Sequence, residues 1–169
     1  AAYLDIETDG LSHDSLVTAV TVHRKDRTVT MTHGRELNTR NLSDALEGSS
    51  MLVTFNGSCF VVPVLRRSFP LLNFDLPHLD LRFAARRVGH RGGLKQLEVD
   101  LGITRPDEID DIGGIEAVRL WKRWERYNDQ DALDRLVEYN RADTINLELI
   151  TELIYPKLVK DYAGFVWEL

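Results

Sequence analysis

Hydrophobic and polar positions alternate in short runs through the first third of the chain. Ala1 to Glu7 reads as a buried central strand that ends in the turn residues Thr8, Asp9 and Gly10. Leu16 to His23 and Arg27 to His33 follow as a hairpin joined through Arg24, Lys25 and Asp26, with Val17, Ala19 and Thr21 on one face of its first strand and Val29 and Met31 on one face of its second. Asn41 to Glu47 has the spacing of a short helix with an Asn or Ser cap. Met51 to Phe55 is another compact strand that stops at Asn56-Gly57, and Phe60, Val64, Leu65 and Phe69 then take helical spacing as far as Pro70.

The remainder is mostly helical. Leu79 to Leu81 forms one more short strand, leading into a helix over Phe83 to Val88, and Gly92-Gly93 opens a further helix over Leu94 to Leu101. Thr104 to Gly114, with Pro106 and a cluster of acids, reads as a surface excursion. Ile115 to Tyr127 and Gln130 to Ile154 carry apolar faces of 3.6-residue period, and Pro156 is expected to end the second of them. Strand, hairpin, helix, strand and then helices predicts an α/β fold: a mixed β-sheet flanked by α-helices, with residues 1–169 as one domain.

Composition narrows the class. A hydrophobic fraction of 43% and a charged fraction of 28% over 169 residues exclude a disordered or fibrous chain. The longest apolar runs fall far short of the ~20 residues of a membrane span, so no membrane association is expected. One cysteine, Cys59, permits neither an intramolecular disulfide nor a cysteine zinc site. With no basic segment followed by an apolar one at the start, the cytoplasm is the expected location. The net charge of -6 argues against coating nucleic acid by bulk electrostatics, yet leaves room for a local basic track beside an acidic site.

Three segments carry candidate chemistry. In Asp5-Ile6-Glu7 the two acids stand at i and i+2 of a strand and face the same way, about 6.6 Å apart along the chain, so their repulsion invites a hard divalent cation. Taken alone, D-x-E is more readily a polar strand end, since a three-residue pattern arises often by chance. Tyr139 and Asp143 lie four apart on a helix and project together, a hydroxyl beside a carboxylate, although a core tyrosine and a solvent-facing aspartate read equally well. Between them lies Asn56-Gly57-Ser58-Cys59-Phe60-Val61.

Together these segments resemble the DEDD family of 3′-to-5′ exonucleases in the ribonuclease-H-like superfamily. Tyr3 to Leu11 matches its first motif, Asn56 to Leu65 its second and Tyr139 to Asp143 its third. The Tyr-x-x-x-Asp form points to the tyrosine-bearing branch. Asp80 in His78-Leu79-Asp80-Leu81, Gly92-Gly93-Leu94-Lys95, Leu101-Gly102-Ile103 and Leu120-Trp121 resemble the YprB-type ribonuclease-H-like subgroup. The resemblance implies a ribonuclease-H-like fold and metal-dependent hydrolysis of phosphodiester bonds in DNA or RNA, at a single-stranded 3′ end, with Mg²⁺ or Mn²⁺ as cofactor. It implies Asp5, Glu7 and Asp143 as ligands of one metal, with Asp5 also bridging to a second. Tyr139 would orient the attacking water, and Asn56 and Phe60 would shape the nucleotide pocket.

One position departs from the pattern. Where the family's second motif continues Asn-x-x-x-Phe-Asp, this chain has Asn56, Phe60 and then Val61. The second metal loses a ligand, so hydrolysis is expected to be weakened; the alternative is a degenerate domain of the same fold that binds nucleic acid and does not cut it. Asp80 reads as a helix N-cap and Asp9 as a turn residue, not as replacements. Arg82, Arg86, Arg87, His90, Arg91 and Lys95 form a basic stretch without an intervening acid, and Arg86, Arg87, Arg91 and Lys95 are the candidates for contact with nucleic-acid phosphates, against the plainer reading of a solvated helix face. Trp121, Trp124 and Tyr127 read as core anchors at helical spacing in preference to base-stacking residues.

Overall fold

The computed structural model describes residues 1–25 and 27–166; Asp26, in the expected hairpin turn, and residues 167–169 lie outside the described residues. Strands β1 (Ala2–Thr8), β2 (Val17–Arg24), β3 (Arg27–Thr32), β4 (Leu52–Thr54) and β5 (His78–Asp80) form one mixed sheet in the order β3-β2-β1-β4-β5. β1, β2 and β3 meander antiparallel, whereas β4 pairs parallel with β1 and β5 parallel with β4. β1 is therefore the middle strand, buried on both sides, as its apolar run requires.

Helices α1 (Thr39–Leu46), α2 (Val62–Ser68), α3 (Leu81–Arg87), α4 (Leu94–Leu101), α5 (Asp107–Asp110), α6 (Gly114–Tyr127) and α7 (Gln130–Val166) cover the sheet. The alternation of β1 divides the core. Ala2, Leu4 and Ile6 pack on one face with Leu42 of α1 and with Val62, Val64 and Leu65 of α2, while Tyr3 joins Leu81, Leu97, Leu147 and Ile150 on the other. A third cluster, around Leu120, Trp121, Leu133 and Leu136, joins α6 to α7. Asp5 and Glu7 share the Tyr3 side of the strand, the side that α7 covers.

Four expectations are corrected. The helix expected to end at Pro156 runs through it. Pro156 and Glu152 are exposed, so water can serve the carbonyl that the missing N–H leaves free, and buried Ile154 with Leu158 against the second cluster hold the helix to the core. Thr104 to Gly114 is not a surface excursion: it contains α5 and buries Ile109 and Ile112 against α6 and α7. Trp121 is a core anchor as expected, and Trp124 packs at the rim of its cluster with the Arg35 guanidinium 4.7 Å above its ring, but Tyr127 is 70% exposed at the last turn of α6. The cap of α1 is an asparagine, though it is Asn38, which accepts the Asn41 N–H at 2.9 Å.

Candidate active site

β1 and β2 lose register between Glu7 and Thr8, an irregularity of the kind that turns side chains at the end of a strand. Just there, Asp5 and Glu7 meet Asp143, which α7 brings across the sheet. One carboxylate oxygen from each lies within 4.8 Å of the other two. Asp5 is partly open, while Glu7 and Asp143 are buried. The three acids line a cleft of about 330 Å³ with Tyr139, Phe60, Leu94 and Val118.

Three carboxylates this close, largely out of water, oppose one another's ionisation. Burial holds Asp5 well above the usual carboxylate range, and the Asp143 charge adds to it; burial does the same for Glu7, reinforced by Asp5 and Asp143. Asp143 is pushed up to about 6 by burial, although the Arg105 guanidinium pulls the other way. Tyr139 is pushed far above the usual phenol range by burial and by the surrounding acids, so it remains a hydroxyl donor. The donor set suits a hard divalent ion: all oxygen, closely spaced and strained without positive charge. Asp143 Oδ1 is buried and has no aligned hydrogen bond, its charged neighbour being the Arg105 guanidinium.

Two groups that were not among the candidate site residues hold these acids in place. Asn140, fully buried beside Tyr139, accepts a hydrogen bond from Thr21 Oγ1 at 2.6 Å and donates its own to Asp5 Oδ2 at 2.9 Å, tying α7 to β1 and β2. Arg105, in the segment between α4 and α5, donates to both Glu98 carboxylate oxygens at 2.7 and 2.8 Å and ion-pairs with Asp143 through Nη2. Its guanidinium stands 5.5 Å from the centre of the Tyr139 ring. Arg105 is the lone cation of residues 98–111, which carry six acids, a composition that by itself reads as a solvent-facing loop.

The second motif is built differently. Asn56 takes the left-handed conformation with φ 58°, and a Cβ at Gly57 would fall on Thr54 Oγ1, so the Asn-Gly pair is what lets the chain double back. The turn continues as one π-helical turn, Gly57–Val61, directly into α2. Asp80 holds it: its carboxylate accepts the N–H groups of Asn56 and Ser58, each at 2.9 Å, and caps α3 through the Arg82 N–H at 3.1 Å. Arg82 in turn donates to the Asn56 side chain at 2.6 Å. Val61 is 3% exposed and packs in the apolar cluster with Leu4 and Ile6, on the opposite face from Asp5.

Of the residues singled out beforehand, Asp5, Glu7, Phe60, Tyr139 and Asp143 share the cleft, and Asn56 does not line it. Arg86, Arg87 and Arg91 are exposed, outside the cleft lining. Lys95 donates to the Asp110 carbonyl and closes a separate hollow with Glu98 and Arg105. Asp9 is a turn residue, its side chain accepting the Leu16 N–H at 2.8 Å. Among the described residues, no helix is long and apolar enough to cross a membrane.

A family model described as RNase H superfamily matches residues 2–155. Among solved structures, the family B DNA polymerase from the hyperthermophilic archaeon Pyrobaculum calidifontis is similar, with a TM-score of 0.65 over 88% of this chain at 17% identity. The chain spans 24% of that polymerase, and at such identity the likeness is one of fold. No curated protein matches.

Proposed function

This chain belongs to the RNase H superfamily, and on that premise we propose that it is a metal-dependent 3′-to-5′ exonuclease of the tyrosine-bearing DEDD branch, acting on single-stranded DNA or RNA ends. The observation that carries the reading is the meeting of Asp5 and Glu7, from one strand, with Tyr139 and Asp143, from one helix at the far end of the sequence, in a single cleft. Asp5, Glu7 and Asp143 would hold Mg²⁺ or Mn²⁺, which supplies Lewis-acid stabilisation of the charge that grows on a phosphoryl oxygen. Tyr139, kept protonated, donates a hydrogen bond to the attacking water. Phe60, half-buried at the cleft wall, offers a face for the terminal base.

A second reading, a domain that binds nucleic acid without cutting it, has one observation in its favour: Val61 stands where the family carries its fourth acid and is spent on the core. One experiment separates them. Single strands labelled at either end are incubated with Mn²⁺, using the parent and Asp5→Asn. The exonuclease reading expects shortening from the 3′ end that Asp5→Asn abolishes. Undegraded strands that the parent nevertheless retains in a gel favour the binding domain, and digestion unaffected by Asp5→Asn overturns the assignment of the cleft.

A further inference from the structure

Glu98, Arg105 and Asp143 form a chain of ionic groups with side chains only 2%, 3% and 7% exposed. Such burial of ionic groups is costly and is tolerated when each charge is compensated. Arg105 is gripped from one side by both oxygens of Glu98, and Glu98 is itself fixed by the Asn146 amide at 2.8 Å. This grip sets the guanidinium, 3% exposed, beside Asp143. Its Nη1 has no hydrogen-bond partner, so the group is not saturated by Glu98 and Asp143. Arg105 thus joins Glu98 to Asp143, and Asp143 in turn stands against Asp5 and Glu7.

We propose that Arg105 is a positioning residue that acts as the cleft's built-in counter-ion, holding Asp143 and keeping the carboxylates together before a divalent ion arrives. This inference rests on the reading of the cleft as a metal site. A fixed positive charge next to the ligands lowers the repulsion in the metal-free protein, and the same charge opposes an incoming cation. Arg105 therefore trades affinity for a site that is already assembled, and Glu98 moderates the trade by neutralising part of the guanidinium charge.

The consequence has a sign that packing alone does not give. At pH 8, Arg105→Gln should melt at lower temperature than the parent in chelator, recover more on addition of Mn²⁺, and bind Mn²⁺ about tenfold more tightly by calorimetry. Arg105→Lys, which keeps the charge, should gain from Mn²⁺ about as much as the parent. Glu98→Gln, nearly isosteric, should shift the other way, with weaker Mn²⁺ binding; it provides the test should Arg105→Gln fail to fold. Equal losses for Arg105→Gln with and without Mn²⁺ would reduce Arg105 to a structural ion pair. Weaker Mn²⁺ binding in Arg105→Gln, or stronger binding in Glu98→Gln, would also overturn the counter-ion role. A parent that binds Mn²⁺ while these shifts fail leaves the metal site standing and removes this inference alone; a parent that binds none removes both.

Discussion

Asp80 and Asp143 are buried to a similar degree, at 7% and 5% exposure, and sit at the ends of opposite chains of consequence. Asp80 accepts three backbone N–H groups and converts its charge into the shape of a turn and the cap of a helix. Asp143 faces two more carboxylates, with Arg105 as the cation among them. Both are acids that the family pattern draws attention to, so residue type does not separate them. The wiring does: backbone donors make a carboxylate structural, whereas like charges leave it in need of a cation. The turn that Asp80 holds presents Val61 to the apolar side of the sheet, and the cleft that Asp143 completes opens on the other.

Val61→Asp would place an acid between the two situations and is the harshest test of the contrast. In the apolar cluster it meets neither backbone donors nor a cation, and we expect a loss of roughly 4 kcal/mol in chelator. If the turn can rotate to bring residue 61 into the cleft, Mn²⁺ should restore much of that loss and speed 3′ trimming. Denaturant unfolding in chelator and in Mn²⁺ reads both. A loss that Mn²⁺ does not touch would confine position 61 to the core.

The pH profile of the metal-free protein comes next. Asp5 and Glu7 lie well above the usual carboxylate range and Asp143 is pushed up to about 6 when folded, so the folded state binds protons more tightly than the unfolded chain does. Protonation therefore favours folding: this contribution is complete below about pH 4 and is lost as pH rises through 6 and beyond. In chelator, stability should fall between pH 4 and pH 8, with Asp143 alone contributing on the order of 3 kcal/mol. With Mn²⁺ the slope should flatten or reverse, because the ion binds the deprotonated set. A chelated protein that gains stability across that window would mean the three acids are not crowded.

How much of this was legible in the chain follows from how locally each feature is encoded. Asp5 and Glu7 were readable because a strand fixes which way i and i+2 point, and Tyr139 with Asp143 because a helix brings i and i+4 together. The sheet and most helices follow from the same periods. Arg105 was not, because a run of acids around a proline looks like solvent-facing loop, and only Ile109 and Ile112 packing against α6 and α7 draws that loop inward. Asn140 lay inside a recognised motif, yet its bond to Asp5 spans 135 positions and no local pattern announces it. Pro156 misled in the opposite direction: the rule that proline ends a helix yields where water meets the freed carbonyl and the next turn has a core to rest on.

Asp80→Asn is the mildest change and the one that sharpens the comparison most. Asparagine keeps the shape of the side chain but has a single acceptor oxygen, so Asn56, Ser58 and Arg82 must share what two carboxylate oxygens served, and an NH₂ group now faces an N–H donor. The expected cost is about 2 kcal/mol, spread over the turn and the first residues of α3. Because no cation is involved, the loss should be the same in chelator and in Mn²⁺, and amide exchange should quicken at Asn56, Ser58 and Arg82 while the cleft keeps its metal affinity. A Mn²⁺-dependent loss would mean that Asp80 reaches the metal after all and supplies the acid missing at Val61. An unchanged Mn²⁺ affinity with a weakened turn would place the two acids in separate machinery, one shaping the backbone and one waiting for charge.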